Sequence, residues 1–429
     1  MTRLLRLACL VVLTASGAWA AERFPPPQFE NHQLPVTTTP APRAASLDGL
    51  DIAVLAAALG GAAYLVLRRR SRRGIVGLGL FSLLYFGFWR KGCVCPVGSV
   101  QNVVTCFADP GYAVPVVVAV FFLLPLVFAL FFGRVFCAAV CPLGMAQDLV
   151  VVRPVAVPRW LAEGLGLLPV LYLAVAVLLA ATGSAYVVCQ YDPFVGFFRR
   201  SAELPMLVFG GALLLLGLCV ARPYCRFLCP YGVLLGWLSR FSRRHATITP
   251  DECIHCRLCE DSCPFGAIEK PVSEWTGLTR SAGRKALAAA VLSVPLLALG
   301  GGGVGFMLSG PLSRANATVR LAERVWLENA GQADGATVAS AAFRGTGRPE
   351  QDLYREALEV RGRIGHGAAM AGAFVGLVIG GRLIQLSVRR RRPDYEPDRA
   401  LCLSCGRCFL FCPREHVRLK KIEDLQCRP

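Results

Sequence analysis

Histidine and charged residues are both scarce in this sequence. Five of the 429 residues are His, and Asp, Glu, Lys and Arg together make up 17% of the chain. Only His366 lies at an apolar stretch, so no pair of histidines is available to hold a haem b inside a membrane, and a cytochrome-b-type protein is disfavoured. Because 55% of the residues are hydrophobic, so low a charged fraction is typical of a membrane protein.

Acidic residues are fewer than basic ones, which leaves a formal net charge of +18. The arginines cluster beside apolar stretches, at 68–73, 240–244 and 389–392. Such clusters mark the cytoplasmic segments of membrane proteins, so the charge does not indicate a nucleic acid partner. The apolar stretches also lack paired charges of the kind found in transport pathways, and no catalytic acid, base or nucleophile is evident.

Apolar stretches that approach the length of a bilayer crossing recur along the chain. A crossing helix needs about 20 mostly apolar residues. Seven segments are of this kind: 49–67, 74–89, 112–133, 164–188, 204–221, 286–308 and 366–388. The sequence therefore predicts an all-α polytopic bundle of about seven transmembrane helices in a bacterial inner membrane.

The amino-terminal segment has the pattern of a secretion signal. Arg3 and Arg6 precede an apolar run that ends in the small-x-small sequence at 18–20, so residues 1–20 are expected to be a cleaved signal peptide, with an uncleaved first helix as the alternative. Residues 21–46, rich in Pro and Thr, are expected to form an extended periplasmic tail, and 47–245 a membrane domain. With this end outside, the predicted cytoplasmic segments are 68–73, 134–163, 222–285 and 389–429.

A run of four cysteines follows the membrane domain. Its spacing is C-x2-C-x2-C-x3-C-P, and its residues are Cys253, Cys256, Cys259, Cys263 and Pro264. This is the ligand spacing of one half of a bacterial ferredoxin that binds [4Fe-4S] clusters. A zinc site, which pairs two C-x2-C knuckles, or a disulfide framework does not require the C-x3-C-P step.

A second run with the same spacing lies near the carboxyl terminus. Its residues are Cys402, Cys405, Cys408, Cys412 and Pro413. Between the two runs lie two apolar spans, so they can meet only if the chain crosses the membrane and returns. We therefore expect a small α+β two-cluster ferredoxin-like cytoplasmic module that is split by a transmembrane hairpin. Its predicted parts are 246–285, the hairpin 286–388 with its periplasmic loop 309–365, and 389–429.

The two runs are expected to exchange their last ligand. In two-cluster ferredoxins the fourth Cys of each run binds the other cluster. Cluster 1 is therefore predicted to take Cys253, Cys256, Cys259 and Cys412. Cluster 2 is predicted to take Cys402, Cys405, Cys408 and Cys263.

A shorter Cys-Pro motif recurs three times in the membrane domain. It contains Cys93 and Cys95 in the first copy, and in the others the pairs Cys137/Cys141 and Cys225/Cys229. The last two pairs are spaced i, i+4, so a helical turn would point both thiols of a pair the same way. These four thiols are a candidate third cluster site at the cytoplasmic membrane face, or they are structural or redox-exchanging thiols.

Four further thiols fall on the outer side in this topology: Cys93, Cys95, Cys106 and Cys189. Disulfides are the usual fate of such thiols, and a further cluster is the alternative. No role is assigned to Cys9, Cys219 or Cys427. In the outer loop, Thr337 lies in a segment that loosely resembles covalent FMN attachment motifs. The loop lacks the rest of a flavin domain, so an ordinary helical loop is favoured over FMN.

Over residues 75–429 the chain resembles membrane polyferredoxins of the NapH and NosR type, which carry C-x3-C-P pairs at helix ends followed by ferredoxin-like cysteine runs. The resemblance rests on Cys137/Cys141, Cys225/Cys229 and the two ferredoxin runs. It implies electron transfer between the cytoplasmic or quinol side and a periplasmic reductase or its electron carrier, as a subunit of a redox chain. The rival interpretation is an accessory Fe-S factor that matures or reactivates a periplasmic metalloenzyme.

Overall fold

The computed structural model describes residues 44–92, 95–248, 253–272, 280–333, 335–388 and 392–418. The predicted signal peptide, most of the predicted tail, and Cys9, Cys93 and Cys427 lie outside these residues. Most of the described chain is helical, as expected from its composition.

The membrane domain begins with α1 (Ala45–Leu67) and α2 (Arg72–Ser82), and α2 continues as a π-helix over Leu83–Trp89. The next helices are α3 (Pro96–Ala108), α4 (Val116–Phe132), α5 (Val135–Ala139), α6 (Pro142–Val150), α7 (Arg159–Leu165) and α8 (Leu168–Ala181). They are followed by α9 (Val187–Tyr191), α10 (Pro193–Arg199), α11 (Leu204–Gly217), α12 (Pro223–Phe227) and α13 (Pro230–Ser239).

The rest of the chain comprises α14 (Leu258–Asp261), β1 (Ile268–Glu269), α15 (Arg280–Met307), α16 (Ser309–Ser313), α17 (Ala317–Asn329), α18 (Val338–Gly345), α19 (Glu350–Ser387), β2 (Glu396–Pro397) and α20 (Arg407–Phe411). Each of the seven predicted spans is mostly helical, although residues 182–186 and 218–221 lie outside the helices. Four helical segments among the described residues are long and apolar enough to cross a membrane: Ala45–Leu67, Arg159–Ala181, Ser281–Met307 and Glu350–Ser387. Because Val116–Phe132 and Leu204–Gly217 are shorter apolar helices, the seven-span count stays a prediction.

One ion pair lies at the edge of the first two predicted spans. Asp51 lies inside α1 with its side chain fully buried, and its Oδ2 is 2.8 Å from Nε of Arg90. Tyr85 donates a hydrogen bond of 2.8 Å to the other carboxylate oxygen. Arg90 directly follows the π-helix and lies one residue beyond the predicted span 74–89, so the pair is not within the spans.

The long helices α15 and α19 pack against each other as a hairpin. Small residues line their contact, where a Cβ added at Gly372 would overlap the carbonyl oxygen of Gly301, and one added at Gly305 would overlap that of Ala368. This close approach of backbones is typical of helix pairs in membranes, where apolar side chains gain little by leaving lipid.

The hairpin returns the chain to the place that it left. Strand β1, which follows the first cysteine run, pairs antiparallel with β2, which precedes the second run. The register joins Ile268 to Pro397 and Glu269 to Glu396, and an isolated bridge joins Val272 to Arg392. Helix α14 of the first run also packs on α20 of the second. The two halves thus form one small ferredoxin-like unit.

Candidate metal centres

The two cysteine runs of the ferredoxin-like unit share an unusual backbone. His255 and Arg257 have positive φ values of 53° and 64°, and Ser404 and Gly406, at the corresponding positions of the second run, have values of 54° and 74°. Non-glycine residues seldom adopt this conformation, and it is maintained where the surrounding structure requires it. In each run the second left-handed residue caps a short helix that carries the third Cys. Both runs therefore fold as the same cysteine-presenting loop.

One cavity in this unit is lined by cysteines from both runs. Its walls include Cys263 of the first run together with Cys402, Cys405 and Cys408 of the second. The apolar side chains of Phe265 and Leu403, among others, complete the lining. Burial, the largest influence, raises the pKa of Cys402 to about 12. A thiol of this kind stays protonated near neutral pH unless a bound metal displaces the proton. The four sulfur donors therefore suit a thiolate-bound cluster.

A second group of thiols belongs to the first run. Cys253 and Cys256 lie close enough to Cys259 to interact with it electrostatically, and burial raises the pKa of Cys259 to about 11. Cys412 directly follows α20, which packs against the helix that carries Cys259. His255 and Asp394 also border this group, with 3.4 Å between Nε2 and Oδ1. Sequence reasoning missed Asp394, which reaches this place only through the return of the chain.

The two C-x3-C pairs of the membrane domain converge at a third place. The Cys141 and Cys225 side chains are hydrogen-bonded to each other, and Cys137 and Cys229 are both near Cys225. Nε2 of Gln147 donates to Cys225 Sγ over 3.2 Å. We call Cys137, Cys141, Cys225 and Cys229 the four-thiol site.

Two buried arginines that sequence reasoning missed border the four-thiol site. Arg134 lies three residues before Cys137, and Arg222 lies three residues before Cys225. Each guanidinium contacts the other Cys-Pro motif. Arg222 Nη1 donates to the Cys137 carbonyl. Arg134 Nη2 lies 3.2 Å from the position that a Cβ would take on Gly232. The shared R-x2-C-x3-C-P-x-G pattern was the signal that could have identified them.

The four outer thiols do not all come together. Cys95 and Cys189 interact, and Cys189 Sγ lies 3.0 Å from the position of a Cβ on Gly98. Cys106 is in the last turn of α3, whose first residue follows Cys95, so about 16 Å of helix separates these two cysteines. Cys95 is also close enough to interact with Cys229 of the four-thiol site. Cys219 is exposed.

Thr337, and Arg382 within the last predicted span, both have ordinary structural roles. The Thr337 hydroxyl accepts a hydrogen bond from the Ser340 amide at the start of α18, which is a capping box. Arg382 donates to the carbonyl oxygens of Glu163 and Gly166 at 3.0 and 2.8 Å. It thereby satisfies backbone groups at the end of a neighbouring helix.

Two families of 4Fe-4S binding domains match parts of the chain. One 4Fe-4S binding domain family matches residues 114–158 and 203–249, which contain the four-thiol site, and a second 4Fe-4S binding domain family matches residues 246–269. No solved structure matches the chain.

Curated relatives cover part of the chain. Protein NirI of Paracoccus denitrificans is 34% identical over 33% of this chain and 22% of its own length. The putative electron transport protein YccM of Escherichia coli is 30% identical over 32% and 43%, respectively. The methylamine utilization ferredoxin-type protein MauN of Paracoccus denitrificans is 31% identical over 40% and 62%. The chain thus spans less than two thirds of the length of each of these relatives. Together with its cysteine sites and apolar helices, these matches identify it as a polyferredoxin-like 4Fe-4S membrane protein.

Proposed function

We propose that this protein is an integral membrane electron carrier between the cytoplasmic or quinol side of the bacterial inner membrane and a periplasmic redox partner. The observation that carries the proposal is a shared hydrophobic cluster. Phe265, Leu403 and Cys405 form its core, and Cys137 of the four-thiol site packs against it together with Cys263 and Cys402. Two cysteine sites are therefore neighbours across the boundary between the membrane domain and the ferredoxin-like unit.

The ferredoxin-like unit would hold two [4Fe-4S] clusters. We assign Cys253, Cys256, Cys259 and Cys412 to cluster 1, and Cys263, Cys402, Cys405 and Cys408 to cluster 2. The cavity lined by the second set supports this exchange of the fourth ligand. Such clusters supply one-electron oxidation and reduction at potentials that the surrounding protein sets. The chain contributes the spacing, burial and hydrogen bonding of the sites.

We assign a third cluster to the four-thiol site. Four convergent sulfurs are what cluster ligation requires, and Cys137, Cys141, Cys225 and Cys229 supply them. The match of this region to a 4Fe-4S binding domain supports the assignment. Cys95 is close to Cys229 and adds a further thiol beside this site. This arrangement suits the carriage of electrons through the membrane domain.

The proposed orientation places the ferredoxin-like unit in the cytoplasm and the loop 309–365 in the periplasm. Arg70 and Arg72 of the arginine cluster at 68–73 bond to Glu415 and Cys405 of the unit. The cluster at 240–244 also contacts the unit, because Arg399 donates to the Ser242 carbonyl. These contacts agree with the distribution expected of cytoplasmic segments. Reporter fusions at residue 245 and at the carboxyl terminus should be active in the cytoplasm, and one at residue 335 in the periplasm. A periplasmic carboxyl terminus would contradict this topology.

Iron content tests the third cluster. Two cubane clusters hold about eight irons, so protein purified without oxygen should contain clearly more, close to twelve. Cys225→Ser should lose about four of them. Cys219→Ser, which removes an exposed thiol outside the three sites, is the matched control and should keep them all. Iron that Cys225→Ser leaves unchanged would favour structural thiols instead.

A further inference from the structure

A chain of hydrogen bonds joins the four-thiol site to the proposed cluster 2 site. Arg222 Nη1 donates to the carbonyl oxygen of Cys137, and its Nε lies 3.2 Å from Asp148 Oδ1. Arg72 Nη2 lies 2.8 Å from Asp148 Oδ2, and Arg72 Nη1 donates to the carbonyl oxygen of Cys405 over 2.8 Å. This series of hydrogen bonds therefore begins at a proposed ligand residue of one site and ends at a proposed ligand residue of the other.

Arg134 makes a second connection between the same sites. Its Nη2 lies 3.9 Å from Cys137 Sγ, and its Nη1 donates to the carbonyl oxygen of Ala400 over 3.0 Å. Ala400 lies two residues before Cys402, whose thiol also interacts electrostatically with Arg134. Arg222 likewise interacts with thiols of both sites, Cys225 and Cys405. Each arginine thus lies close to residues of both sites.

The charge balance of Arg134 points to an anionic ligand. The residue is 7% exposed, its Nε has no hydrogen-bond partner, and no carboxylate of the described residues forms an ion pair with it. A buried cation without an anion is costly. Thiolate-bound clusters on either side of the guanidinium would supply the missing negative charge. Arg222 differs, because Asp148 partly neutralises it.

We propose that Arg134 and Arg222 are positioning residues that fix the four-thiol centre beside cluster 2 and raise the reduction potentials of both centres together. The proposal rests on the proposed function, because it requires clusters at both sites. Reduction adds one negative charge to a centre, and a nearby fixed positive charge stabilises that reduced form. Because each guanidinium lies close enough to both sites to interact electrostatically with their thiols, one substitution should affect both potentials.

An anaerobic redox titration followed by electron paramagnetic resonance tests the proposal on the full-length protein. Arg222→Gln should shift the potentials of both centres to more negative values, and Arg222→Lys, which keeps the charge, should shift them less. Asp148→Asn should shift both in the opposite direction, because it removes the anion that partly neutralises Arg222. Arg382→Gln is the matched control, a half-buried arginine that bonds backbone carbonyls elsewhere, and should shift neither.

Shifts of the same sign in Arg222→Gln and Asp148→Asn, a shift of one centre alone, or no shift would overturn the proposal. A merely structural role predicts lost iron without this reversal of sign. If Arg222→Gln loses iron, the sign of the Asp148→Asn shift decides alone. Failure of the third cluster itself would already be visible as low iron in the wild-type protein, whereas failure of the arginine proposal appears only in the variants.

Discussion

Arg70 Nε lies 2.6 Å from Glu415 Oε1, and this ion pair joins the connector after the first span to the segment that follows the second ferredoxin run. Both side chains are largely buried, and the Arg70 guanidinium also lies 4.0 Å from the centre of the Phe409 ring. The arginine cluster at 68–73 therefore anchors the ferredoxin-like unit, in addition to its predicted role as a topology marker.

Removal of this anchor should loosen the second half of the unit. Glu415→Gln leaves Arg70 buried without its anion, and the loss of one partner of a buried pair costs about 3–5 kcal/mol. We expect faster hydrogen exchange over residues 392–418 and earlier loss of iron on heating. Glu356 forms an exposed ion pair with Arg348. Glu356→Gln should therefore change the free energy of unfolding by less than about 1 kcal/mol. Equal effects of the two substitutions would contradict the anchoring role.

The exchange of the fourth ligand between the runs can be tested by comparison of variants. Cys263 lines the same cavity as Cys402, Cys405 and Cys408. Cys263→Ser should therefore alter the same electron paramagnetic resonance signal as Cys405→Ser. Cys412→Ser should instead alter the signal that Cys256→Ser alters. If Cys263→Ser matches Cys256→Ser, each run binds its own cluster and the assignment is wrong.

The hairpin should be sensitive to small increases in side-chain volume on its inner face. Gly372→Ala would force α15 and α19 apart, because the new Cβ overlaps the carbonyl oxygen of Gly301. Overpacking of this kind costs about 1–3 kcal/mol. Gly381→Ala, on the same helix but facing open space, is the control and should be neutral or slightly stabilising in thermal unfolding. A similar melting temperature for both variants would contradict the tight helix contact.

The outer loop should lose stability in acid through one carboxylate. Desolvation alone would raise the pKa of Glu328, but hydrogen bonds from Ser340, Arg324 and Arg344 outweigh it and lower the pKa to about 2. A lowered pKa contributes stability that is complete above the unfolded value, about 4.3, and is lost as the pH falls through 2. The protection factors of the α17 and α18 amides, which correct for the pH dependence of intrinsic hydrogen exchange, should therefore fall between about pH 4 and pH 2.

Glu328→Gln separates this effect from general acid unfolding. The variant should show lower protection factors in α17 and α18 already at neutral pH and little further change down to pH 2. Glu323 lies on the same helix as Glu328, and its carboxylate forms an exposed ion pair with Arg314. Glu323→Gln should therefore keep the wild-type pH profile. An unchanged profile in Glu328→Gln would assign the acid sensitivity to other groups.

Much of this architecture follows from local sequence. The ligands of a cluster-binding loop lie within eleven residues of one another, so the C-x2-C-x2-C-x3-C-P spacing was sufficient to predict both runs. Apolar length alone predicted the helices, because a chain inside lipid must satisfy its backbone hydrogen bonds within each segment. Whether an individual residue is exposed or buried was harder to predict from the sequence, as the buried Asp51–Arg90 pair demonstrates.

The sequence by itself determined which segments are apolar helices and which cysteines are spaced as ligands, since both properties depend on neighbours along the chain. Only the tertiary structure decided that Cys263 lies with Cys402, Cys405 and Cys408, and that the pairs Cys137/Cys141 and Cys225/Cys229 converge. It also decided the partners of Arg134 and Arg222. The physical reason is that these contacts join residues far apart in sequence, and the packing of whole helices and the return of the α15–α19 hairpin bring them together.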